Sequence, residues 1–284
     1  MTQSIEATII KERIDQYWED NQDDGLRHHL GGSLIGRECS RELWYSFRWA
    51  TLTRHTGRIL RLFNRGHHEE PRMVEWLRQI GCIVHETDPD TGDQFRIIDV
   101  DGHFGGSLDG IAYNVPGVDQ FGLTKDDPVL LEFKTHGQKS FDELTKKGLE
   151  EAKAEHVAQM QTYMVKRGIK VALYMPICKN TDELYPLWLP ADNMAGAGCL
   201  SKAGEIISAP KPPNRISNNP SWFKCRFCDH RGTCHLGKPM EMNCRTCTFS
   251  KPIEDGQWYC AKWESVIPKE SQKAGCSAHH MITD

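Results

Sequence analysis

Seven of the eleven cysteines lie between Cys225 and Cys276, and that crowding constrains the chain more than any other feature. No apolar run approaches the roughly 18–20 residues needed to span a bilayer. The opening stretch Met1-Thr2-Gln3-Ser4-Ile5-Glu6 lacks the basic-then-apolar layout of a signal peptide. A cytoplasmic setting is therefore expected, where clustered thiols ligate metal rather than pair as disulfides. The spacings are Cys225-x2-Cys228-x5-Cys234, then Cys244-x2-Cys247-x12-Cys260-x15-Cys276-x2-His279. Two partitions fit them. In one, Cys225, Cys228, Cys244 and Cys247 make a zinc ribbon, with 15 residues separating Cys228 from Cys244. In the other, Cys225, Cys228 and Cys234 join a distant cysteine, while Cys244, Cys247, Cys260 and Cys276 hold a structural zinc ion of their own. His279 or His280 could replace one of those last four. Cys82, Cys178 and Cys199 are expected to be packing residues.

A chain of 284 residues suffices for one sizeable α/β core and a small accessory module. With 38% hydrophobic and 26% charged residues it has the composition of a folded protein rather than a disordered one. Ile5, Ile9, Ile10, Ile14 and Trp18 recur at helical spacing over residues 5–20. Gly31-Gly32-Ser33 breaks the chain, a second helix starts near Cys39 and runs through Phe47, and a third is expected over Glu69–Gln79. Strand-like runs follow at Cys82–His85, Phe95–Ile98, Gly106–Tyr113 and Val129–Lys134. Phe141–Arg167 reads as one long helix and Val171–Met175 as a further strand. This order describes an α/β layered domain. Pro210, Pro212, Pro213 and Pro220 mark a linker, and the chain beyond about Trp222 is poor in regular pattern. The expected organisation is a helical segment at 1–32, a core at 33–215, a cysteine segment at 216–237 and a small zinc-binding tail at 238–284.

The net charge of −4 does not advertise a nucleic-acid binder. Basic residues are nevertheless uneven: Arg48, Arg54, Arg58, Arg61 and Arg65 fall within eighteen residues, either as a solvated helix face or as a stripe facing DNA. Glu132 and Lys134 stand two apart on a strand and so share a face, with Phe133 turned into the core. A Glu-x-Lys pair is ordinarily a solvated face, but Leu130 and Leu131 bring this one out of a buried run. Asp109 supplies a second acid from the preceding strand. Carboxylates on two adjacent strands can hold Mg²⁺, which activates water and offsets charge on a phosphodiester. Lys134 adds a fixed positive charge for the transition state. No phosphate-binding Gly-x4-Gly-Lys-Ser/Thr loop and no Gly-x-Ser-x-Gly elbow occurs.

Asp109 followed, after 22 intervening residues, by Glu132-Phe133-Lys134 resembles the signature of the PD-(D/E)xK nuclease superfamily. Gln159, within His156-Val157-Ala158-Gln159-Met160-Gln161-Thr162-Tyr163-Met164, resembles the helix motif of the RecB-type branch, where a Tyr follows the Gln one turn on. Phe63-Asn64-Arg65-Gly66-His67-His68-Glu69-Glu70-Pro71 resembles its first helix motif, Gly-x-x-x-Glu, and maps the first acid to Glu70, with His67 and His68 as alternative ligands. The likeness covers roughly residues 33–180 and departs in having Gly-Ser-Leu-Asp where Pro-Asp is usual.

The resemblance implies a mixed sheet flanked by helices, as in restriction endonucleases. It also implies a Mg²⁺- or Mn²⁺-dependent site in which Glu70, Asp109 and Glu132 hold the metal and Lys134 and Gln159 complete the catalytic set. Trp222-x2-Cys225-x2-Cys228-x5-Cys234, with Cys39 upstream of the core, resembles the CRISPR-associated RecB-like exonucleases and AddB-type nucleases. In those, four such cysteines hold a [4Fe–4S] cluster; zinc in the same ligands is the alternative. The function implied is a DNA nuclease, by analogy an exonuclease. It would process linear ends or single strands in phage or bacterial recombination and repair, alongside a recombination partner protein. A catalytically silent nucleic-acid-binding adaptor and a restriction-type endonuclease are the alternatives.

Overall fold

The computed structural model describes residues 5–283; Met1–Ser4, part of the stretch read above for a leader, and Asp284 lie outside them. The centre of the fold is β6 (Val129–His136), buried along most of its length, with the opening run Val129-Leu130-Leu131 apolar on both faces. It lies in the middle of a mixed five-stranded sheet of order β2 (Ile83–His85), β5 (Gly110–Tyr113), β6, β7 (Val171–Cys178), β8 (Leu187–Pro190). β6 and β7 run parallel and every other neighbouring pair is antiparallel. The parallel pair needs a crossover, which α4 (Gln138–Lys147), α5 (Leu149–Ala152) and α6 (Ala154–Arg167) supply.

Strand alternation divides the core in two. Val129, Leu131 and Phe133 pack with Val171, Leu173, Met175 and Ile177 against Met73, Val74 and Leu77 of α3 (Gly57–Gln79). On the other face Leu130, Ala172 and Tyr174 meet Met160, Tyr163 and Met164 of α6 and Ala203, Ile206 and Ile207 of α7 (Asn193–Ser208). Phe133 points into the first of these cores, as expected; Glu132 and Lys134 share the α6 side with Leu130.

Several elements differ from the sequence reading. The third helix begins at Gly57, not Glu69, because α3 runs straight through Pro71, which forgoes one hydrogen bond without ending the helix. Gly106–Tyr113 is two strands. β4 (Phe104–Ser107) pairs with β1 (Leu30–Gly31) and β3 (Arg96–Asp99) in a separate three-stranded sheet, and the chain then leaves it at Leu108–Asp109 to enter the central sheet as β5. The helix expected over Phe141–Arg167 is three helices, broken at Gly148, whose φ of 82° favours glycine, and at Lys153. In α1 (Ile5–Asp20) most of the expected apolar side is open: Ile9, Ile10 and Ile14 are exposed and Trp18 is half-buried, while the Ile5 side chain lies outside what is described. Polar contacts hold it instead, Asp15 pairing with Arg61 and Glu19 accepting from the Gly57 N–H at 2.8 Å.

The tail is more regular than its sequence suggests. β9 (Ser250–Pro252), β10 (Trp258–Cys260) and β11 (Ser265–Ile267) form an antiparallel meander. Trp258, Ile267 and Ile282 are buried in the same cluster as α6 and α7. Arg48 does not belong to any surface stripe: it is 2% exposed, lies over Trp44 and Trp258, and donates to the carbonyls of Ala209, Arg245 and Ser250. Arg245 is buried beside it, over Trp49, and donates to the carbonyls of Phe47 and His28 and to Gln272 Oε1. Of the remaining basic run, Arg54, Arg58 and Arg65 are exposed and Arg61 is half-buried. Cys82 and Cys178 are buried as expected; Cys199 only partly, against the core. Among the described residues no helix is long and apolar enough to cross a membrane.

Candidate active site

The register of β5 on β6 ends with Gly110 opposite Leu131. One residue further on, the chain has turned away, and the Phe133 N–H, which would have met a strand partner, is taken by the Asp109 carboxylate at 2.8 Å. The sheet-to-sheet crossing at Leu108–Asp109 thus fixes Asp109 at the edge of β6, next to the face that carries Glu132 and Lys134. Glu132 is fully buried. Its Oε2 accepts from Gln159 Nε2 at 3.1 Å, so α6 orients it. Its Oε1 lies against the Lys134 ammonium but takes no well-directed hydrogen bond, leaving a buried acceptor incompletely satisfied. Lys134 Nζ donates instead to the Phe133 carbonyl at 3.1 Å. Lys134 is 29% exposed, deeper than an open rim position.

Glu70 approaches from α3, its Oε1 3.7 Å from His67 Nδ1. Glu69 is turned away, buried and paired with Arg72, and His68 is exposed. Of the alternatives raised for this segment, Glu70 and His67 line one cleft of about 630 Å³ together with Asp109, Lys134 and Gln159. Arg27, His29 and Arg96 bring basic groups to its wall, and His156 and Tyr163 complete it. Two glycines are required there by Tyr163: a Cβ on Gly106 would fall 2.1 Å from its Oη and one on Gly32 2.6 Å from its ring.

The electrostatics follow from three carboxylates facing one ammonium. Burial, with the Asp109 charge, pushes the Glu70 carboxyl above its usual range, against the pull of His67 and Lys134. Burial pushes Glu132 up to about 7, the Asp109 and Glu70 charges adding to it and Lys134 opposing. Burial disfavours the Lys134 charge, but Glu132, Asp109 and Glu70 outweigh it and hold the ammonium protonated. Each member of the Glu132–Lys134 pair is thus pushed toward keeping its proton. That is coherent only because the cluster carries more negative charge than one ammonium neutralises. The chemistry of the donor set suits a divalent cation, with hard oxygen ligands, excess negative charge and an incompletely satisfied Oε1, although the three carboxylates do not stand close enough together to hold one as they are.

The cysteines fall into two groups. Cys39 stands immediately before α2 (Ser40–Phe47), its thiol making no capping bond. It lines a cavity of about 810 Å³ with Cys225 in α8 (Phe223–Arg226), Cys228, and Cys234 in α9 (Arg231–His235). Burial pushes the Cys228 thiol up to about 12, with the charges of Glu42 and Cys39 adding to it. In the tail, burial pushes Cys244 up, and Cys276, Cys247 and Cys260 are close enough to add to the effect. The His280 N–H points at Cys247 Sγ at 3.5 Å, while His279 Nε2 is engaged with the Asn243 carbonyl at 3.1 Å. Cys225 and Cys228 therefore keep company with Cys39, and Cys244 and Cys247 with Cys260 and Cys276. Among the described residues no three His, Cys, Asp or Glu are gathered tightly enough to hold a metal ion as they stand. Any metal would have to draw these side chains together.

One network escaped the sequence reading. His136 Nε2 and His156 Nδ1 both meet the Tyr174 hydroxyl, at 2.9 and 2.8 Å. Strand alternation was the available signal, since it puts His136 on the face of Glu132 and Lys134. Arg27, His29 and Arg96 had no such signal, because only the second sheet brings them to the cleft.

No known protein-family profile matches the chain, and no curated protein matches it in sequence. Among solved structures, it is similar to SSO0001 at 14% identity over 82% of this chain and 98% of that one, with a TM-score of 0.42. It is also similar to the alkaline exonuclease LHK-Exo of Laribacter hongkongensis, at 18% identity over 69% of this chain and 90% of that one, with a TM-score of 0.44. The complex of LHK-Exo with dAMP gives the same score and identity over 67% of this chain and 90% of that one.

Proposed function

We propose that this chain is a metal-dependent DNA nuclease of the PD-(D/E)xK type, acting on DNA ends. The observation that carries the reading is convergence. Glu70 from α3, Asp109 from the junction of two sheets, Lys134 from β6 and Gln159 from α6 line one cleft, and Glu132 of β6 is buried against Lys134 and Gln159, although the five span 90 residues of sequence. In this reading Glu70, Asp109 and Glu132 would hold Mg²⁺ or Mn²⁺, which supplies Lewis-acid stabilisation of a phosphodiester undergoing hydrolysis. Lys134, kept protonated by its carboxylate neighbours, is not a base; it sets a fixed positive charge against phosphate oxygens. Gln159 holds the Glu132 carboxylate in one orientation. Arg27 and Arg96 on the cleft wall offer charge to flanking phosphates.

The cysteine sets are read as two further centres. Cys39, Cys225, Cys228 and Cys234 around one cavity are a thiolate set suited to a [4Fe–4S] cluster, with zinc the alternative occupant. Cys244, Cys247, Cys260 and Cys276 suit structural zinc. A role in phage or bacterial recombination and repair, in the cytoplasm and with a partner protein, follows from the exonuclease reading. The test is incubation with Mg²⁺ or Mn²⁺ and end-labelled linear or closed circular DNA. Loss of linear DNA with circles spared supports end-dependent cleavage. Cutting of both would make it an endonuclease, and binding without cutting an adaptor.

A further inference from the structure

Behind the acidic cleft lies a hydrogen-bonded chain that the nuclease reading does not use. Lys153 Nζ donates to Ser140 Oγ at 2.7 Å, and Ser140 Oγ lies 3.1 Å from His136 Nδ1. His136 Nε2 lies 2.9 Å from Tyr174 Oη, which lies 2.8 Å from His156 Nδ1. Tyr174 and His136 are buried. His156 lines the cleft beside Asp109, Lys134 and Gln159 and also borders the cysteine-lined cavity, and its Nε2 has no hydrogen-bond partner among the described residues. Gln159 stands three residues further along α6, on the same face.

The donors and acceptors can be counted through this chain. Burial pushes both imidazoles down, His136 to about 4 and His156 to about 3, with nearby lysine charges adding to it. Each ring therefore carries one N–H at neutral pH and accepts at the other nitrogen. Three arrangements satisfy the two rings. In the first, Ser140 donates to His136 Nδ1, His136 Nε2–H to Tyr174, and the Tyr174 hydroxyl to His156 Nδ1. In the second every step is reversed, and the Ser140 hydroxyl hydrogen is left without an acceptor in the chain. In the third both rings donate to Tyr174 Oη, and the Tyr174 hydroxyl hydrogen is left without one. The first gives each hydroxyl hydrogen a partner. It also aligns every bond with the donation from Lys153, so that the bonds polarise one another in the same direction.

We infer that Ser140, His136 and Tyr174 hold His156 as its neutral Nε2–H tautomer, so that the cleft presents a fixed hydrogen-bond donor to a phosphate oxygen of the bound nucleic acid. The phosphate contact rests on the nuclease reading; the tautomer does not. His156 is then a substrate-binding residue, and Tyr174, His136 and Ser140 are positioning residues. An uncharged donor suits this place, because an imidazolium beside Lys134 would meet like-charge repulsion.

The tautomer is read directly from long-range ¹H–¹⁵N correlations of the imidazoles in the labelled full-length protein. The expected result is Nε2–H at both His136 and His156. Nδ1–H at His156 would overturn the inference, whether or not the protein cuts DNA. Tyr174→Phe keeps the ring and removes the relay, so His156 should lose its single tautomer. Should that variant fail to fold, Ser140→Ala breaks the chain at its half-buried end and should shift the His136 tautomer population. Unchanged spectra in a folded variant would refute the relay. For the phosphate contact, His156→Asn should lower cleavage about 10- to 100-fold, as expected for one hydrogen bond to a charged group. His156→Gln, whose amide reaches toward the Nε2 position, should retain most of it. Equal rates in the Asn, Gln and wild-type proteins would exclude the contact. A wild type that cuts no DNA would remove the nuclease reading and with it the contact, while the spectra still judge the tautomer.

Discussion

Glu70 and Glu132 answer to the same three-carboxylate cluster, but from different depths. Glu132 is fully buried and oriented by Gln159; the Glu70 side chain is 42% exposed and swings from a helix. Replacing Glu70 by Gln should therefore weaken Mn²⁺ binding about tenfold without loss of fold, and excess Mn²⁺ should restore part of the activity. Titration calorimetry of the variant checks this, and an unchanged affinity would move the ligand role to His67. Buried histidines give a second consequence. Burial pushes His136 and His230 down to about 4 from an ordinary 6.5. The unfolded chain thus takes up protons that the folded chain refuses as pH falls through that window. Their contribution is intact above pH 6.5 and lost toward pH 4, on the order of 1–2 kcal/mol per imidazole between pH 7 and 5. Urea unfolding at those two pH values should show the drop. Stability that is flat or rises on acidification would mean the rings charge freely in the fold.

Among the elements, β6 was legible because Glu132 and Lys134 follow the apolar run Val129-Leu130-Leu131 at a spacing of two. The break at Leu108–Asp109 was not: Gly106–Tyr113 has the composition of one strand, and only pairing with two different sheets divides it. α3 was read too short because Gly66 and Pro71 imitate a helix boundary, while its packing on β6 carries it through. The basic run misled at Arg48, whose charge suggests surface but whose guanidinium is enclosed by tryptophans and carbonyls from distant segments. Close packing between elements also makes a prediction. Gly106→Ala would put a methyl group 2.1 Å from Tyr163 Oη, forcing β4 and α6 apart at a cost of about 1–3 kcal/mol. Tyr163→Phe should recover part of that loss in the double variant. Additive losses in thermal or urea unfolding would show that the two side chains do not meet.

The molecule as a whole is tied end to end. Arg245 reaches the carbonyls of His28 and Phe47, and Cys39 lines a cavity with Cys225, Cys228 and Cys234. The pairing of Cys39 with Cys225 was legible only through family resemblance, since 186 positions separate them and no local pattern joins them. A cluster bound by both would close a loop around the core, worth on the order of 4–5 kcal/mol in the chain-entropy description. Cys39→Ala should then destabilise the whole protein and abolish its iron and brown colour while sparing zinc. Cys276→Ala should do the opposite to the metals. Elemental analysis of protein purified without oxygen checks both, and a colourless wild type with zinc unaffected by Cys39→Ala would contradict the iron–sulfur assignment.

The central claim is that phosphodiesters are hydrolysed at the cleft lined by Glu70, Asp109, Lys134 and Gln159, with Glu132 buried against the last two. Lys134→Ala tests it most directly, because it removes the ammonium set against the carboxylates and leaves all three of them in place. Initial rates on end-labelled linear DNA in Mn²⁺ should fall at least about 100-fold relative to wild type, with far-ultraviolet circular dichroism unchanged. A folded Lys134→Ala protein that cuts at the wild-type rate would place the chemistry somewhere other than this cleft.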